Sequence, residues 1–211
     1  MLLNLNELYQ EYSLQIDGIV HIGAHYGREY FDYSALGVPK MIFFEPLISN
    51  FEILHRNVPE SSDVILVNKA LGNDTKKIKM YVETANDGQS SSILEPKVHL
   101  TQYPHITFDA IEEVNMIRLD DFFELENIDM HLYNMINIDV QGYELEVLKG
   151  SEKFLDGVDY IYTEVNRDVL YKNCVQVEEL DSFLGDYGFE RVKTIWTGDT
   201  WGDAIYIKEN F

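Results

Sequence analysis

The chain has 211 residues, 37 acidic against 16 basic, for a formal net charge of −21 on a composition that is 45% hydrophobic and 13% aromatic. Such a surplus of acids repels phosphate backbones and anionic leaflets, which argues against general affinity for nucleic acid or membrane surfaces. A single cysteine, Cys174, excludes an intramolecular disulfide, and the lack of a basic-then-apolar leader or of an apolar run of spanning length predicts a cytoplasmic protein organised as one domain over residues 1–211.

Taken in chain order, Leu5, Leu8, Tyr9 and Tyr12 recur at helical spacing, so residues 1–16 are expected to hold a short amphipathic helix packed on the rest. Residues 18–22 read as a buried strand, and 28–36 as a helix stopped by Gly37 and Pro39. A second strand is expected at 41–44, a second helix at 48–58 and a third strand at 63–67. Residues 76–82 alternate like an exposed strand. The following stretch, 83–110, is polar and aperiodic, the pattern of a loop insert serving as a lid or acceptor loop. A strand is expected at 113–118, with Asp120 and Asp121 capping a turn at Phe122 and Phe123. Residues 133–138 predict a strand, 143–155 one helix, 158–162 a strand and 177–187 a helix ended by Gly188; 190–195 and 204–207 close the chain as an antiparallel pair. Strands alternating with helical patterns of this length predict an α/β fold with a mostly parallel sheet and helices on both faces.

Three motifs sit where such strands end. The first strand runs into His21-Ile22-Gly23-Ala24-His25-Tyr26-Gly27, where glycines at a strand-to-helix turn let a ligand approach the backbone and the helix offers free N–H groups. Its spacing is G-x-x-x-G, not the dinucleotide G-x-G-x-x-G, and an ordinary tight turn is the alternative. Glu45 ends the second strand 22 positions after Gly23 and can accept hydrogen bonds from both hydroxyls of a ribose, with Pro46 setting the exit of the chain. A solvated strand-end acid is the plainer alternative.

The third motif places Asp139 at a strand end beside the first loop, followed by Gln141, Gly142 and Glu144. Glu144 falls in the first turn of a helix, where capping is its expected work. The next strand ends at Thr163-Glu164-Val165-Asn166. Buried acids at strand ends are costly without a partner, so Asp139 and Glu164 are the candidate bases, with His21 in reserve. Gln141 and Asn166, with Ser91 and Ser92 from the insert, are the candidate acceptor contacts. A divalent metal on Asp139, Glu164 and Asn166 is a less favoured use of the same oxygens, since no tight ligand spacing supports it. His99, His105 and Tyr103 are either acceptor contacts or plain surface. Trp196, Trp201 and Tyr206 frame the closing hairpin as a sugar-stacking platform or as packing.

Together these motifs, with Phe44-Glu45-Pro46, Ala70-Leu71-Gly72, Ile117-Arg118-Leu119-Asp120-Asp121-Phe122 and Ile138-Asp139-Val140-Gln141-Gly142-Tyr143-Glu144, resemble the FkbM-type methyltransferases over residues 19–207. The resemblance implies a Rossmann-like class I methyltransferase fold, a seven-stranded sheet with an antiparallel last strand, and methyl transfer from S-adenosyl-L-methionine to a hydroxyl oxygen. By the same resemblance His21, Gly23, Ala24, His25 and Gly27 flank the methionine end of the cofactor, Glu45 and Pro46 the ribose, and Lys69 and Ala70 the adenine, with Asp139 near the transferring methyl. The first motif departs from the family, which usually has an acid at the position of His21 and often a small polar residue at that of His25. An acid there helps orient the methionine ammonium, whereas a neutral imidazole accepts through only one nitrogen.

The expectation is thus an O-methyltransferase acting on a small sugar-like or glycan acceptor, with part of the acidic surplus serving a cationic cofactor. Replacing Glu45 by alanine is expected to weaken cofactor binding with little effect on folding. Two other readings stay open: a non-catalytic binding or scaffolding domain on a degenerate methyltransferase fold, suggested by His21 and His25, and a nicotinamide-dependent oxidoreductase, which would lack its third glycine and second nucleotide half.

Overall fold

The computed structural model describes residues 2–209. Asn4 caps a first helix, α1 (Leu5–Glu11), its side chain accepting a hydrogen bond from the backbone of Glu7. Strands and helices then alternate: β1 (Ile19–Ile22), α2 (Tyr30–Ala35), β2 (Met41–Phe44), α3 (Ile48–Asn57) and β3 (Val64–Val67). After β4 (Ala70–Leu71) and β5 (Lys76–Val82) come a short helix, α4 (His99–Gln102), and β6 (Ala110–Ile117). The alternation resumes with α5 (Leu119–Leu125), β7 (Met135–Ile138), α6 (Glu144–Lys149), α7 (Glu152–Leu155), β8 (Tyr160–Asn166) and α8 (Val177–Gly185), and ends with β9 (Phe189–Thr197) and β10 (Trp201–Lys208).

Seven strands form one sheet in the order β3-β2-β1-β7-β8-β10-β9. Its first five members run parallel, and β10 is antiparallel to both β8 and β9. The strand that reverses is therefore the last in the chain, as expected. β1, β2 and β7 are buried at every residue, the condition of strands covered on both faces. Alternate residues supply the two cores. Val20, Ile22, Ile42, Phe44, Ile136 and Ile138 pack with α5 to α8, whereas Ile19, Met41, Phe43 and Met135 pack with α1 to α3.

Three expectations are corrected. A second, three-stranded sheet of order β4-β6-β5 rides beside the first through Leu47, Met80, Val114 and Met116; β4 is too short to leave a periodic signature. The single helix expected at 143–155 is two, broken at Gly150 and Ser151, because the chain there crosses Gly72: a Cβ on Gly150 would lie 2.0 Å from the Gly72 carbonyl oxygen. Asp120 caps α7 rather than a turn at Phe122 and Phe123, accepting from the backbone N–H groups of Lys153 and Phe154 at 3.1 Å each, while residues 119–125 form α5.

The insert at 83–110 is stitched to its surroundings rather than free. Tyr81 and Ser92 exchange backbone hydrogen bonds, and Lys97 N–H donates to the Leu170 carbonyl at 2.8 Å. Glu83 organises its first turn by accepting from the backbone of Ala85, Asn86 and Gly88. Among the described residues no helix is long and apolar enough to cross a membrane.

Candidate functional site

Sheet register builds the site. Ile22 pairs with both Phe44 and Ile138, and Ile138 pairs with Thr163, so the residues one step further on, Glu45, Gly23, Asp139 and Glu164, stand side by side at the carboxyl edge of four adjacent strands. Glu164 in turn pairs with Asp203 of β10. Strand order reverses between β1 and β7, the place where an open α/β sheet leaves a crevice for ligands. Gly23 must be glycine because its φ is +82° and a Cβ would fall 1.9 Å from the Asp139 carbonyl oxygen. The space a side chain would take is filled by the neighbouring strand end, not kept for a ligand as the sequence suggests.

Two cavities meet at this edge and share Gly23, His25, Gln89, Asp139 and Gln141 as walls. One is a narrow cleft lined by Glu45, Pro46, Lys69 and Ala70 together with the apolar Phe44, Leu71, Met80 and Ile93. The other, about 530 Å³, is lined by His21, Ala24 and Glu164 and extends outward past His99, Tyr103, His105 and Trp201. Most of the expected site residues thus gather at one crevice.

Four do not serve as expected. Gly27 lines neither cavity; its missing side chain admits Leu54 and Val58 of the α3 region, and a Cβ at this position would lie 2.4 Å from Leu54 Cδ1. Ser92 is a strut, donating to the Gln141 carbonyl at 2.8 Å and accepting from Leu94 N–H. Ser91 lines the narrow cleft and not the large cavity, and accepts from Glu83 N–H. Asn166 lies buried outside both cavities, its amide turned to Glu164 at 3.4 Å. Of the hairpin aromatics, Trp201 faces the large cavity, whereas Trp196 stacks under Arg167 and Tyr206 packs in the core.

Glu45 is 4% exposed and accepts from His25 N–H at 2.8 Å and Leu47 N–H at 2.9 Å. Burial pushes its carboxyl up to about 7, against the pull of those backbone donors. His25, at φ +49°, turns its Nε2 to the Asp87 carbonyl at 2.7 Å. Its backbone orients Glu45 while its ring fastens the insert, so its presence is no mark of a degenerate site. Gln141, also left-handed at φ +56°, donates from Nε2 to Asp139 at 2.7 Å and to Glu164 at 2.8 Å, and accepts from the Tyr171 hydroxyl at 3.0 Å. Glu164 is pushed well above the carboxylate range by burial and then by the charges of Asp139, Glu144 and Asp203. Glu144 does not cap α6 as expected but closes the turn before it, accepting from Gly142 and Val140 N–H, and burial pushes it up to about 7.

Sequence reasoning missed Asp203, Tyr33, Tyr171 and Asn50, the last a wall of the narrow cleft whose side chain hydrogen-bonds Glu45. Asp203 is 1% exposed and accepts from Tyr162 and from the backbone of Leu2. Its signal was an acid inside the apolar run of β10. Among the described residues no group of three or more His, Cys, Asp and Glu side chains is placed to hold a metal ion.

The raised carboxyls Glu45, Glu144 and Glu164, and with them Asp203, carry a pH consequence. Each binds its proton more tightly folded than unfolded, so the stability it contributes is full below its unfolded value and is lost as pH climbs through the raised folded one, about 7 for Glu45 and Glu144. The midpoint of thermal unfolding of the free protein is expected to fall between pH 5 and pH 8 by roughly 5–10 °C, at about 2–4 °C per kcal/mol for a chain of this size. Glu144→Gln should flatten that slope, and a midpoint that rises across the same range would refute the protonated-acid description.

The chain from residue 21 to 191 matches the family model described as the methyltransferase FkbM domain. A stretch of 101 residues is 40% identical to the 2-O-methyltransferase NoeI of Sinorhizobium fredii, covering 46% of this chain and 40% of that protein. Among solved structures, Streptococcus pneumoniae Sp1610 in complex with S-adenosyl-L-methionine superposes with a TM-score of 0.51 at 14% identity, over 100% of this chain and 75% of that one. A Listeria monocytogenes protein proposed to be an S-adenosylmethionine-dependent methyltransferase gives 0.52 at 11% identity, over 98% and 100%. At these identities the likeness is one of fold.

Proposed function

This chain belongs to the FkbM methyltransferase family, and from that membership we propose that it moves the methyl group of S-adenosyl-L-methionine to a hydroxyl of a small, carbohydrate-like acceptor. The observation that carries the reading is the meeting of two unlike cavities at one acid, Asp139. The narrow cleft suits a nucleoside: apolar walls for a flat base, and Glu45, already oriented by two backbone N–H donors, to accept from a ribose diol. Bound there, the cofactor supplies an electrophilic methyl activated by its sulfonium charge.

What remains for the protein is alignment and a place for the hydroxyl proton. Asp139 faces both cavities and is the candidate base. Glu164, whose burial favours its protonated form, is suited to donate a hydrogen bond rather than to take a proton. Gln141 holds the two acids in register by bridging them. On the acceptor side Tyr103 and Trp201 join through a Trp201 Nε1 to Tyr103 hydroxyl bond of 3.0 Å, an aromatic and polar wall suited to a sugar ring. The chain's net charge of −21 fits a neutral polyol better than a nucleic acid, and the partial match to a 2-O-methyltransferase supports oxygen as the methylated atom.

Calorimetric titration with S-adenosylhomocysteine and S-adenosylmethionine should show saturable binding of one molecule per chain, and its absence would end the reading. A methyl-donor consumption screen over neutral sugars and glycans, run with and without chelator, is expected to give a positive acceptor at unchanged rate. Inhibition by chelator would replace direct base catalysis with metal-assisted positioning.

A further inference from the structure

His21 and Asn137 are direct partners in the β1 and β7 ladder, and both project to the face covered by α2, where Tyr33 lies over them. The Asn137 Nδ2 donates to the Tyr33 hydroxyl at 2.6 Å, and that hydroxyl lies 3.0 Å from His21 Nδ1. All three side chains are buried, and the His21 ring is wedged between Tyr33 and Phe43 at centroid distances of 5.8 and 5.6 Å. A phenol that accepts from an amide still has its own hydrogen to give, and the acceptor in reach is Nδ1. The opposite amide orientation would leave both N–H donors of a buried asparagine unpaired, a worse arrangement than the unpaired Asn137 Oδ1 found among the described residues.

We propose that Asn137 and Tyr33 lock His21 as its neutral Nε2–H tautomer, so that the end of β1 offers a hydrogen-bond donor to the carboxylate at the amino-acid end of the cofactor. The proposal rests on the S-adenosylmethionine reading of the site. Burial also holds the imidazole below its ordinary pKa, despite the nearby charges of Glu29 and Asp139, which keeps the ring neutral at physiological pH. His21 lines the large cavity, and with Nδ1 turned to Tyr33 the nitrogen left for that cavity is Nε2. Arg28 and Glu29 line the same wall. Arg28 adds a positive group beside this neutral donor for the carboxylate, and Glu29 accepts from the ammonium. A histidine thus replaces an acidic acceptor at this position without loss of orientation, because the acceptor comes instead from Glu29, the residue before α2. The tautomer removes His21 from the list of bases, since its cavity-facing nitrogen already carries a hydrogen. Tyr33 and Asn137 are positioning residues.

Two measurements on the whole protein test this. Nitrogen NMR of the free protein at neutral pH, with His21 assigned by its loss in His21→Gln, should show Nε2 protonated and Nδ1 bare; the reverse pattern overturns the lock. Calorimetry of Tyr33→Phe should show S-adenosylhomocysteine bound on the order of tenfold more weakly than by the parent protein, the scale of one hydrogen bond, while methylthioadenosine, which has the nucleoside but no amino-acid end, binds within about twofold. Equal weakening of both nucleosides, or of neither, overturns the carboxylate assignment. If the parent protein binds neither nucleoside, the cofactor reading falls and the carboxylate assignment with it, while the nitrogen spectrum still decides the tautomer.

Discussion

Asp139→Asn is expected to lower kcat for methyl transfer by about 10²–10⁴-fold, the usual worth of a positioned general base. Asparagine keeps the shape of the side chain and an oxygen to accept from Gln141 Nε2, which lies 2.7 Å from the carboxylate, so the fold and the Gln141 bridge should survive. Cofactor affinity should change by less than about tenfold, the size of one hydrogen bond. Glu164→Gln provides the contrast. Burial favours the protonated form of its parent side chain, so a neutral isostere should keep kcat within about threefold, well inside one kcal/mol. A large loss in Glu164→Gln with a small one in Asp139→Asn would exchange the two roles. Steady-state kinetics on the acceptor found by the consumption screen reads both variants.

Glu45→Ala is expected to weaken cofactor binding by roughly 10²-fold or more, from the loss of two hydrogen bonds to a charged group at about 1.5–3 kcal/mol each. The structure alters the companion expectation that folding would be spared. The Glu45 carboxyl oxygens accept from the backbone of His25 and Leu47, at 2.8 and 2.9 Å, and alanine leaves both N–H groups without that partner at a cost of about 1–3 kcal/mol each. Thermal unfolding should therefore show a lowered midpoint alongside the calorimetric loss. Glu45→Gln keeps one accepting oxygen and should recover part of the stability but little of the affinity. Unchanged affinity in both variants would remove Glu45 from the ribose site.

How much of this was legible in the sequence follows from the range of the interactions involved. Strand runs such as Met41–Phe44 and Met135–Ile138 are apolar at nearly every residue because both faces of a parallel sheet are covered, and their ends are marked by the acid that follows the run, Glu45 and Asp139. That local grammar was enough to place the crevice and the two acids that define it. The break between α6 and α7 was less visible. Gly150 and Ser151 are weak stops by themselves, and the reason for the break is a backbone crossing at Gly72, far away in the chain.

Residue roles inside the site divide in the same way. Gly23 and Gly27 look alike in the motif, yet one touches the Asp139 backbone at the crevice and the other receives Leu54 and Val58 from the α3 region. Ser91 and Ser92 are neighbours, but alternation turns one to the narrow cleft and the other to the Gln141 carbonyl.

By itself, then, the sequence determined the alternation of strands and helices, the closing antiparallel pair and the acids at the strand ends, because each is written in residues adjacent along the chain, and its motifs carried the family resemblance that implied the reversed last strand. The tertiary structure alone decided which of those residues face one another: the pairing of Glu164 with Asp203, the bridge of Gln141 between two carboxyls, and the relay from Asn137 through Tyr33 to His21. Such bonds join side chains separated by as many as 104 positions, and a hydrogen bond's partner, tautomer and proton affinity depend on what burial brings within about 3 Å, a quantity with no local trace in the chain.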